Sequence, residues 1–282
     1  MRLSQFTTED GTKNWGIDTS TVPNFDHLLA AYGDYVYCQG TLEESIQKRA
    51  RVDGALVWQK DFPIGVPVGT FYPRIMVDGL GNIYTTKTGT INKYDSNGDF
   101  LWTHDLDPVD KVHLLDVMHD GSKVLIATYT DKVYILNSAG EIALDLDVEV
   151  DGEKGGALDS DGNFIVTVTT VRKYNGVTGA QIWTTVPTPL SHHCVDPSSN
   201  YWVASTTRVI KLGKNTGNWL LDLNIFTNIV KILPISNGNI AVIMYDDGTD
   251  VLTIDIRDSN GIQLIEKTHS GITEYNDAVI TV

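Results

Sequence analysis

The sequence is short of the features that mark membrane-spanning, disulfide-rich and nucleic-acid-binding proteins. None of its apolar runs approaches the roughly 20 residues that a transmembrane helix needs, so we predict no membrane insertion. Only two of the 282 residues are cysteines, Cys38 and Cys194, and their spacing is not that of metal ligands. We therefore predict reduced, buried thiols. Basic residues are few as well: there are 21 Lys and Arg against 36 Asp and Glu, a formal charge of −15. An acidic surface repels phosphate backbones, so no nucleic-acid partner is predicted.

Targeting and catalytic motifs are also missing. The first ten residues contain no apolar segment of the kind found in signal peptides, so we expect synthesis in the cytoplasm without export. No phosphate-binding loop, zinc-protease, serine-hydrolase or paired-cysteine motif occurs. The segment Asp159-Ser160-Asp161-Gly162-Asn163 resembles a calcium loop but lacks the last glutamate of an EF-hand. A turn is the main interpretation of this segment and a calcium site is the alternative. No cofactor is predicted.

The sequence does contain an internal repeat. A turn glycine followed four residues later by a large apolar residue occurs seven times, at intervals of 38 to 44 residues. The pairs are Gly11–Trp15, Gly54–Trp58, Gly98–Trp102, Gly140–Leu144, Gly179–Trp183, Gly217–Leu221 and Gly261–Ile265. A second landmark, a polar turn residue that opens a run rich in Val, Ile and Tyr, also occurs seven times, at Asp34, Asn82, Ser122, Asn163, Asn200, Asn239 and Asp277. Repeats of about 40 residues with four short strands each are typical of β-propeller blades.

These landmarks predict an all-β fold, a single domain over 1–282 that forms a seven-bladed β-propeller of four-stranded antiparallel blades. The clearest repeat has predicted strands at Tyr72–Val77, Asn82–Thr86, Thr90–Tyr94 and Phe100–Leu106. Residues 2–19 hold only the last two strands of a repeat, and residues 268–282 hold only the first two. We therefore predict that both ends of the chain share the seventh blade, a velcro closure that removes free sheet edges. Each tryptophan is expected to pack between neighbouring blades, with ligand stacking as the alternative.

One segment points to a family. Tyr174–Trp183, YNGVTGAQIW, closely resembles the tryptophan-docking repeat of PQQ-like β-propellers, and Tyr94–Trp102, YDSNGDFLW, resembles it with one residue fewer. That family includes quinoprotein dehydrogenases and the propeller lipoprotein of outer-membrane assembly. Its enzymes have eight blades and adjacent cysteines beside the quinone, and this chain has no adjacent cysteines, so no PQQ or calcium site is carried over. The resemblance implies instead the family's non-catalytic use, in which a propeller is a docking platform for proteins.

A group of basic residues recurs near the predicted innermost strands, which line the central channel of a propeller. Aligning the repeats places Arg74, His113, His192, Lys231 and His269 in or beside these strands. We predict that they form an axial site, at one mouth of the channel, for a small anion or an acidic partner. A metal site made by the histidines and a channel that is merely polar and hydrated are the alternatives.

Because the sequence contains no recognisable set of catalytic residues, it favours a non-catalytic protein-interaction or structural module of a larger assembly, with other proteins as its partners. A component of a phage virion or tail is one form of this hypothesis, and it would make the chain virion-associated. The alternative is an enzyme of the lyase or hydrolase type, or a small-anion binder, that uses the mouth of the axial channel.

Overall fold

The computed structural model describes residues 2–7, 13–18, 28–39, 45–61, 75–87, 89–107, 112–148, 155–167, 170–185, 192–225, 228–235, 238–246, 248–249, 251–270 and 279–281. The elements in these ranges are β-strands, and none of the described residues belongs to a helix long and apolar enough to cross a membrane. The chain divides into two compact units, which contain mainly residues 13–152 and 153–275.

The two ends of the chain contribute three strands to one sheet. These are β1 (Arg2–Thr7), β2 (Lys13–Asp18) and β27 (Val279–Thr281), in the order β2-β1-β27.

The first unit contains three four-stranded antiparallel blades, in which consecutive strands are neighbours. Blade 1 consists of β3 (Leu28–Tyr32), β4 (Tyr35–Gln39), β5 (Ser45–Ala50) and β6 (Leu56–Asp61). Blade 2 consists of β7 (Ile75–Val77), β8 (Ile83–Lys87), β9 (Thr90–Tyr94) and β10 (Phe100–Asp105). Blade 3 consists of β11 (Val112–Val117), β12 (Lys123–Thr128), β13 (Lys132–Asn137) and β14 (Ile142–Asp147).

The second unit contains three more blades of the same kind. Blade 4 consists of β15 (Gly156–Leu158), β16 (Phe164–Thr167), β17 (Val171–Tyr174) and β18 (Gln181–Thr185). Blade 5 consists of β19 (His192–Val195), β20 (Tyr201–Ala204), β21 (Arg208–Leu212) and β22 (Trp219–Asn224). Blade 6 consists of β23 (Ile229–Pro234), β24 (Ile240–Asp246), β25 (Val251–Arg257) and β26 (Gln263–Ser270).

The fold is therefore a β-propeller with six four-stranded blades, and the prediction of seven such blades is wrong. Thr268–Ser270, which the sequence assigned to a seventh blade, continue β26 and pair with Val251–Thr253 of β25. Among the described residues, the C-terminal end then supplies only β27 to the sheet that it shares with β1 and β2. As far as the structure describes the chain, that sheet has three strands instead of the predicted four, and Thr268–Ser270 of the predicted seventh blade belong to blade 6.

A recurrent turn joins the first and second strands of several blades. In blade 2, Asp78 Oδ1 accepts hydrogen bonds from the backbone N–H groups of Leu80 and Asn82, both at 2.9 Å. Gly81 has a φ of 83°, in the left-handed region that a glycine adopts most easily. The same bonds recur at Asp159 and Asp196. These local bonds fix where each strand ends, so turn residues in the sequence are reliable markers of the blades.

Hydrophobic packing between neighbouring blades makes the core of each unit. In the first unit, Tyr37 of blade 1 packs in one cluster with Ile75 and Ile83 of blade 2. In the second unit, Cys194 and Trp202 of blade 5 belong to a cluster that continues into blade 6. Cys194 is a free, buried thiol, as predicted, and burial raises its pKa. The side chain of Cys38 lies outside the described part of the structure.

Candidate functional site

Two of the tryptophans connect neighbouring blades. Trp183 of β18 is buried, and its indole Nε1 donates a hydrogen bond to the carbonyl oxygen of Lys214 in blade 5 at 3.0 Å. The ring lies so close to Gly217 that a Cβ atom there would be 2.6 Å from its Cε3 atom. Trp102 makes the equivalent contacts with blade 3. The predicted packing role is therefore confirmed for Trp102 and Trp183.

A buried ion pair also contributes to the contact between blades 4 and 5. Lys173 Nζ of β17 lies 2.6 Å from Asp159 Oδ2, and both side chains are almost completely buried. The same ammonium group donates to the Lys214 carbonyl oxygen at 2.9 Å, so it bridges blades 4 and 5. In blade 5, Lys211 Nζ lies 3.6 Å from Asp196 Oδ2. These charges are paired and hydrogen-bonded inside the core, which gives them a structural role.

The segment that resembles a calcium loop is a turn whose carboxylates are already engaged. Asp159 Oδ1 accepts the backbone N–H groups of Asp161 and Asn163, at 3.0 and 2.9 Å. Asp161 Oδ2 lies 2.6 Å from Lys214 Nζ, so lysine ammonium groups contact the carboxylates that a metal would need. In the described part of the chain, no group of three or more His, Cys, Asp or Glu residues is placed to bind a metal.

The predicted axial residues fall into three groups. Arg74 and the side chain of His113 lie outside the described residues. His269 belongs to β26, the last strand of blade 6, where it pairs with Leu252 of β25. Its prediction as part of an innermost strand is wrong, because the extension of β26 incorporates it into the outer edge of that blade.

The structure brings together the remaining two, His192 and Lys231. His192 begins β19 and pairs with Ala204, whereas Lys231 lies in β23 and pairs with Ile243. Both partners are the fourth residue of the second strand of their blade, so His192 and Lys231 occupy equivalent positions in blades 5 and 6. β19 and β23 are in contact. His192 and Lys231 therefore lie at equivalent positions on neighbouring first strands, and their part in an axial site stays a prediction.

The electrostatics of this pair favour a neutral imidazole. The pKa of His192 is lowered to about 4, first by burial and then by the positive charges of His193 and Lys231, while a hydrogen bond with the backbone of Ile229 opposes the shift. His193 is directed toward blade 4, with its Nε2 atom 2.7 Å from the Gly156 carbonyl oxygen. An anion bound beside His192 would favour the protonated ring, because an opposite charge raises the pKa of a histidine.

The outer strands carry a feature that the sequence analysis did not use, a β-bulge directly before the tryptophan position. In β10, Phe100 pairs with Tyr94 and Trp102 pairs with Lys93, which leaves Leu101 as the extra residue of the bulge. The extra residue is apolar and exposed in all six blades, and we call these residues the bulge positions. They are Val57, Leu101, Ala143, Ile182, Leu220 and Leu264. An apolar residue before each tryptophan position was the available signal in the sequence.

The residue before the bulge position extends the apolar surface in several blades. It is Leu56 in blade 1, Phe100 in blade 2, Ile142 in blade 3 and Trp219 in blade 5, and each is more than two-fifths exposed, from 42% for Trp219 to 58% for Phe100. Large apolar side chains in such positions gain little from the fold itself, because much of their surface stays in water. In these four blades the two apolar residues are consecutive in the strand, and contiguous exposed apolar surface marks sites that bind other molecules.

Known proteins share the repeat and the fold. Residues 87–201 match the family model described as outer membrane protein assembly factor BamB. The crystal structure of BamB from Moraxella catarrhalis superposes with a TM-score of 0.58 and 14% sequence identity, over 93% of this chain and 81% of that chain. A protein of unknown function from Bacteroides caccae has a TM-score of 0.59 and 12% identity, over 86% of this chain and 96% of that chain. No curated protein matches the sequence.

These matches confirm the resemblance to PQQ-like β-propellers. At such low identities, the two solved structures establish the fold alone. None of the matches supports the predicted role in a phage virion or tail, and that hypothesis is withdrawn.

Proposed function

We propose that this chain is a non-catalytic protein-interaction module of a larger assembly. The observation that carries the proposal is the apolar residue at the bulge position of every outer strand. Leu101 is 50% exposed and Leu220 is 57% exposed, although both belong to blades whose tryptophan or equivalent residue is packed inward. A partner protein that covers an exposed side chain at a bulge position would gain the hydrophobic free energy that the isolated fold leaves unused.

The likeness to BamB supports the same class of function. The name of the matched family is that of an assembly factor, so a propeller with this repeat is used there in the assembly of other proteins. Blades 2 and 4 of this chain keep the docking geometry of the tryptophan repeat, which concerns packing and leaves the surface free to specialise.

Crosslinking in the native cell tests the proposal. A lysine-reactive crosslinker should join the chain to one or a few defined proteins, and mass spectrometry should recover the same crosslinked lysines in independent preparations. The surface of the chain, with its formal charge of −15, resists non-specific association with other acidic proteins. Recovery of the chain only as an uncrosslinked monomer would refute the proposal.

A second candidate function, small-anion binding, is favoured by the position of Lys231 beside His192. A carboxylate or phosphate between β19 and β23 would contact the ammonium group and would draw a proton onto the imidazole. Calorimetric titration with inorganic phosphate should then show binding that strengthens as the pH falls below about 6.5. Lys231→Ala should abolish the heat of binding and Lys267→Ala, on the outer strand β26, should preserve it. Equal heats in both variants would exclude the site.

A further inference from the structure

The outer strands carry acidic residues as well as exposed apolar ones. The acidic residues follow the bulge position on the same face of the strand. Residues alternate between the two faces of a strand, and in β10 the exposed residues after Phe100 are Leu101, Thr103 and Asp105. An acidic residue lies two or four positions after the bulge position on five of the six outer strands. These residues are Asp61, Asp105, Asp145 with Asp147, Asp222 and Glu266. Each of these five strands therefore carries an acidic residue beyond its apolar bulge position, on the same face.

Blade 2 has the clearest form of this arrangement. Phe100 and Leu101 are 58% and 50% exposed, and the rings of Phe100 and Tyr94 meet edge to face, with 5.9 Å between their centroids. Asp105 accepts a hydrogen bond from the Thr90 hydroxyl group at 3.3 Å. Within the described part of the chain, no cationic side chain forms an ion pair with Asp105.

In two other blades, a basic side chain of the same blade pairs with the acidic residue of the outer strand. On β14, Asp145 and Asp147 both lie within ion-pair distance of Lys132 Nζ, at 3.4 and 2.6 Å. On β22, Asp222 binds the guanidinium group of Arg208 through two hydrogen bonds. In blades 3 and 5 the chain itself therefore supplies a basic residue beside the acidic residue of the outer strand. In blade 2 the first residue of the third strand is Thr90, which is uncharged, where blades 3 and 5 have Lys132 and Arg208.

We propose that β10 binds a segment of a partner protein that carries an apolar side chain and a basic side chain. The apolar side chain would cover Phe100 and Leu101, and the lysine or arginine would pair with Asp105. Leu101 and Asp105 are four residues apart, about 13 Å at about 3.3 Å per strand residue. An extended partner segment would thus carry its two groups about four residues apart. The net charge of the chain favours a basic partner and would speed its association.

This inference rests on the proposed function and specifies the chemistry of the partner. Its test uses the whole chain and a library of random peptides displayed on yeast. Selection for binding should enrich peptides that combine Leu, Ile or Phe with Lys or Arg at a spacing of about four residues. The enriched peptides are then synthesised and measured by fluorescence anisotropy against the wild-type chain and three variants.

The variants separate the two halves of the site. Phe100→Ser with Leu101→Ser should weaken binding about tenfold or more, because two half-exposed apolar side chains no longer lose water on binding. Asp105→Asn should weaken binding about threefold and reduce its dependence on salt. Leu80→Ser is the matched control, since Leu80 is an apolar residue of the same blade, 66% exposed, but lies in a turn; it should leave the affinity unchanged. Circular dichroism establishes that each variant is folded.

Two results would overturn the inference. Enriched peptides without basic residues would contradict the predicted chemistry, and peptides that bind the Ser variants as tightly as the wild-type chain would place the surface elsewhere. Neither result would contradict the proposed function, because the chain would still bind a peptide. The crosslinking experiment tests that function independently, since its result does not depend on β10.

Discussion

The joint between blades 4 and 5 allows a quantitative prediction about Trp183. Its side chain is only 7% exposed, and replacing a buried aromatic side chain by alanine costs roughly 3–5 kcal/mol in the free energy of unfolding. The Lys214 carbonyl oxygen would lose its bond from the indole but keep the one from Lys173 Nζ at 2.9 Å. No buried acceptor is left without a donor, so we expect Trp183→Ala to stay within that range.

The glycine beneath the ring gives a second, coupled prediction. Gly217 has a φ of 65°, and a residue with a Cβ atom costs about 1–2 kcal/mol in this region. In the wild-type chain, Gly217→Ala also forces its new Cβ against Trp183, an overpacking that costs about 1–3 kcal/mol more. In the Trp183→Ala background, the second cost disappears. The double-mutant cycle should therefore show a coupling of about 1–3 kcal/mol.

Urea unfolding of the four proteins, followed by circular dichroism, measures these differences. Trp219→Ala is the control, because Trp219 is 42% exposed and the Arg208 guanidinium group lies 4.9 Å from the centre of its ring. It should cost less than about 1 kcal/mol. Additive effects of Trp183→Ala and Gly217→Ala would refute the argument that the ring and the glycine form one joint.

Two further predictions concern buried charge. Lys173→Met should lower the free energy of unfolding by about 3–5 kcal/mol, because the Asp159 carboxylate remains buried without its cation. Adding Asp159→Asn should restore part of this free energy. A double variant no more stable than Lys173→Met would contradict the prediction. The pKa of His192 is about 4 in the folded protein against 6.5 for an unperturbed histidine. As the pH falls from about 6.5 to 4, the unfolded state takes up the proton first. The free energy of unfolding of the wild-type chain should therefore fall by up to about 3 kcal/mol more than that of His192→Gln. Equal pH dependence of urea unfolding in the two proteins would show that His192 is not buried in this way.

The sequence predicts strands well where side chains in the turns make local bonds. In blade 2, the predicted strand Thr90–Tyr94 is the observed β9, and Asn82–Thr86 differs from the observed Ile83–Lys87 by one residue at each end. The turn glycines have positive φ at the expected places, such as 79° at Gly98. These features depend on residues close together in the chain, which is why the sequence shows them.

The number of blades and part of the axial site depend on longer-range pairing. No turn residue ends β26 after six residues. The strand therefore continues to Ser270, paired with β25, and includes His269. The register of the inner strands was predictable for His192 and Lys231 because both precede a clear second strand. The bulges could not be located from spacing alone, since an extra residue in a strand leaves no mark in the turns.

The six blades of one chain also serve as a comparison among themselves. Blade 4 has Lys173 and Asp159 at two inner positions, whereas blade 3 has the buried Ile135 and the half-buried Met118 at the equivalent positions. Buried ion pairs and apolar pairs are often close in stability, so the core tolerates either chemistry. The bulge position is apolar in every blade although it is half in water, where a polar residue would serve the fold as well. We therefore expect Leu101→Ser and Leu220→Ser each to cost about 1 kcal/mol or less in urea unfolding. Losses as large as those of a core leucine would mean that the bulge positions stabilise the blades and are not kept apolar for a partner.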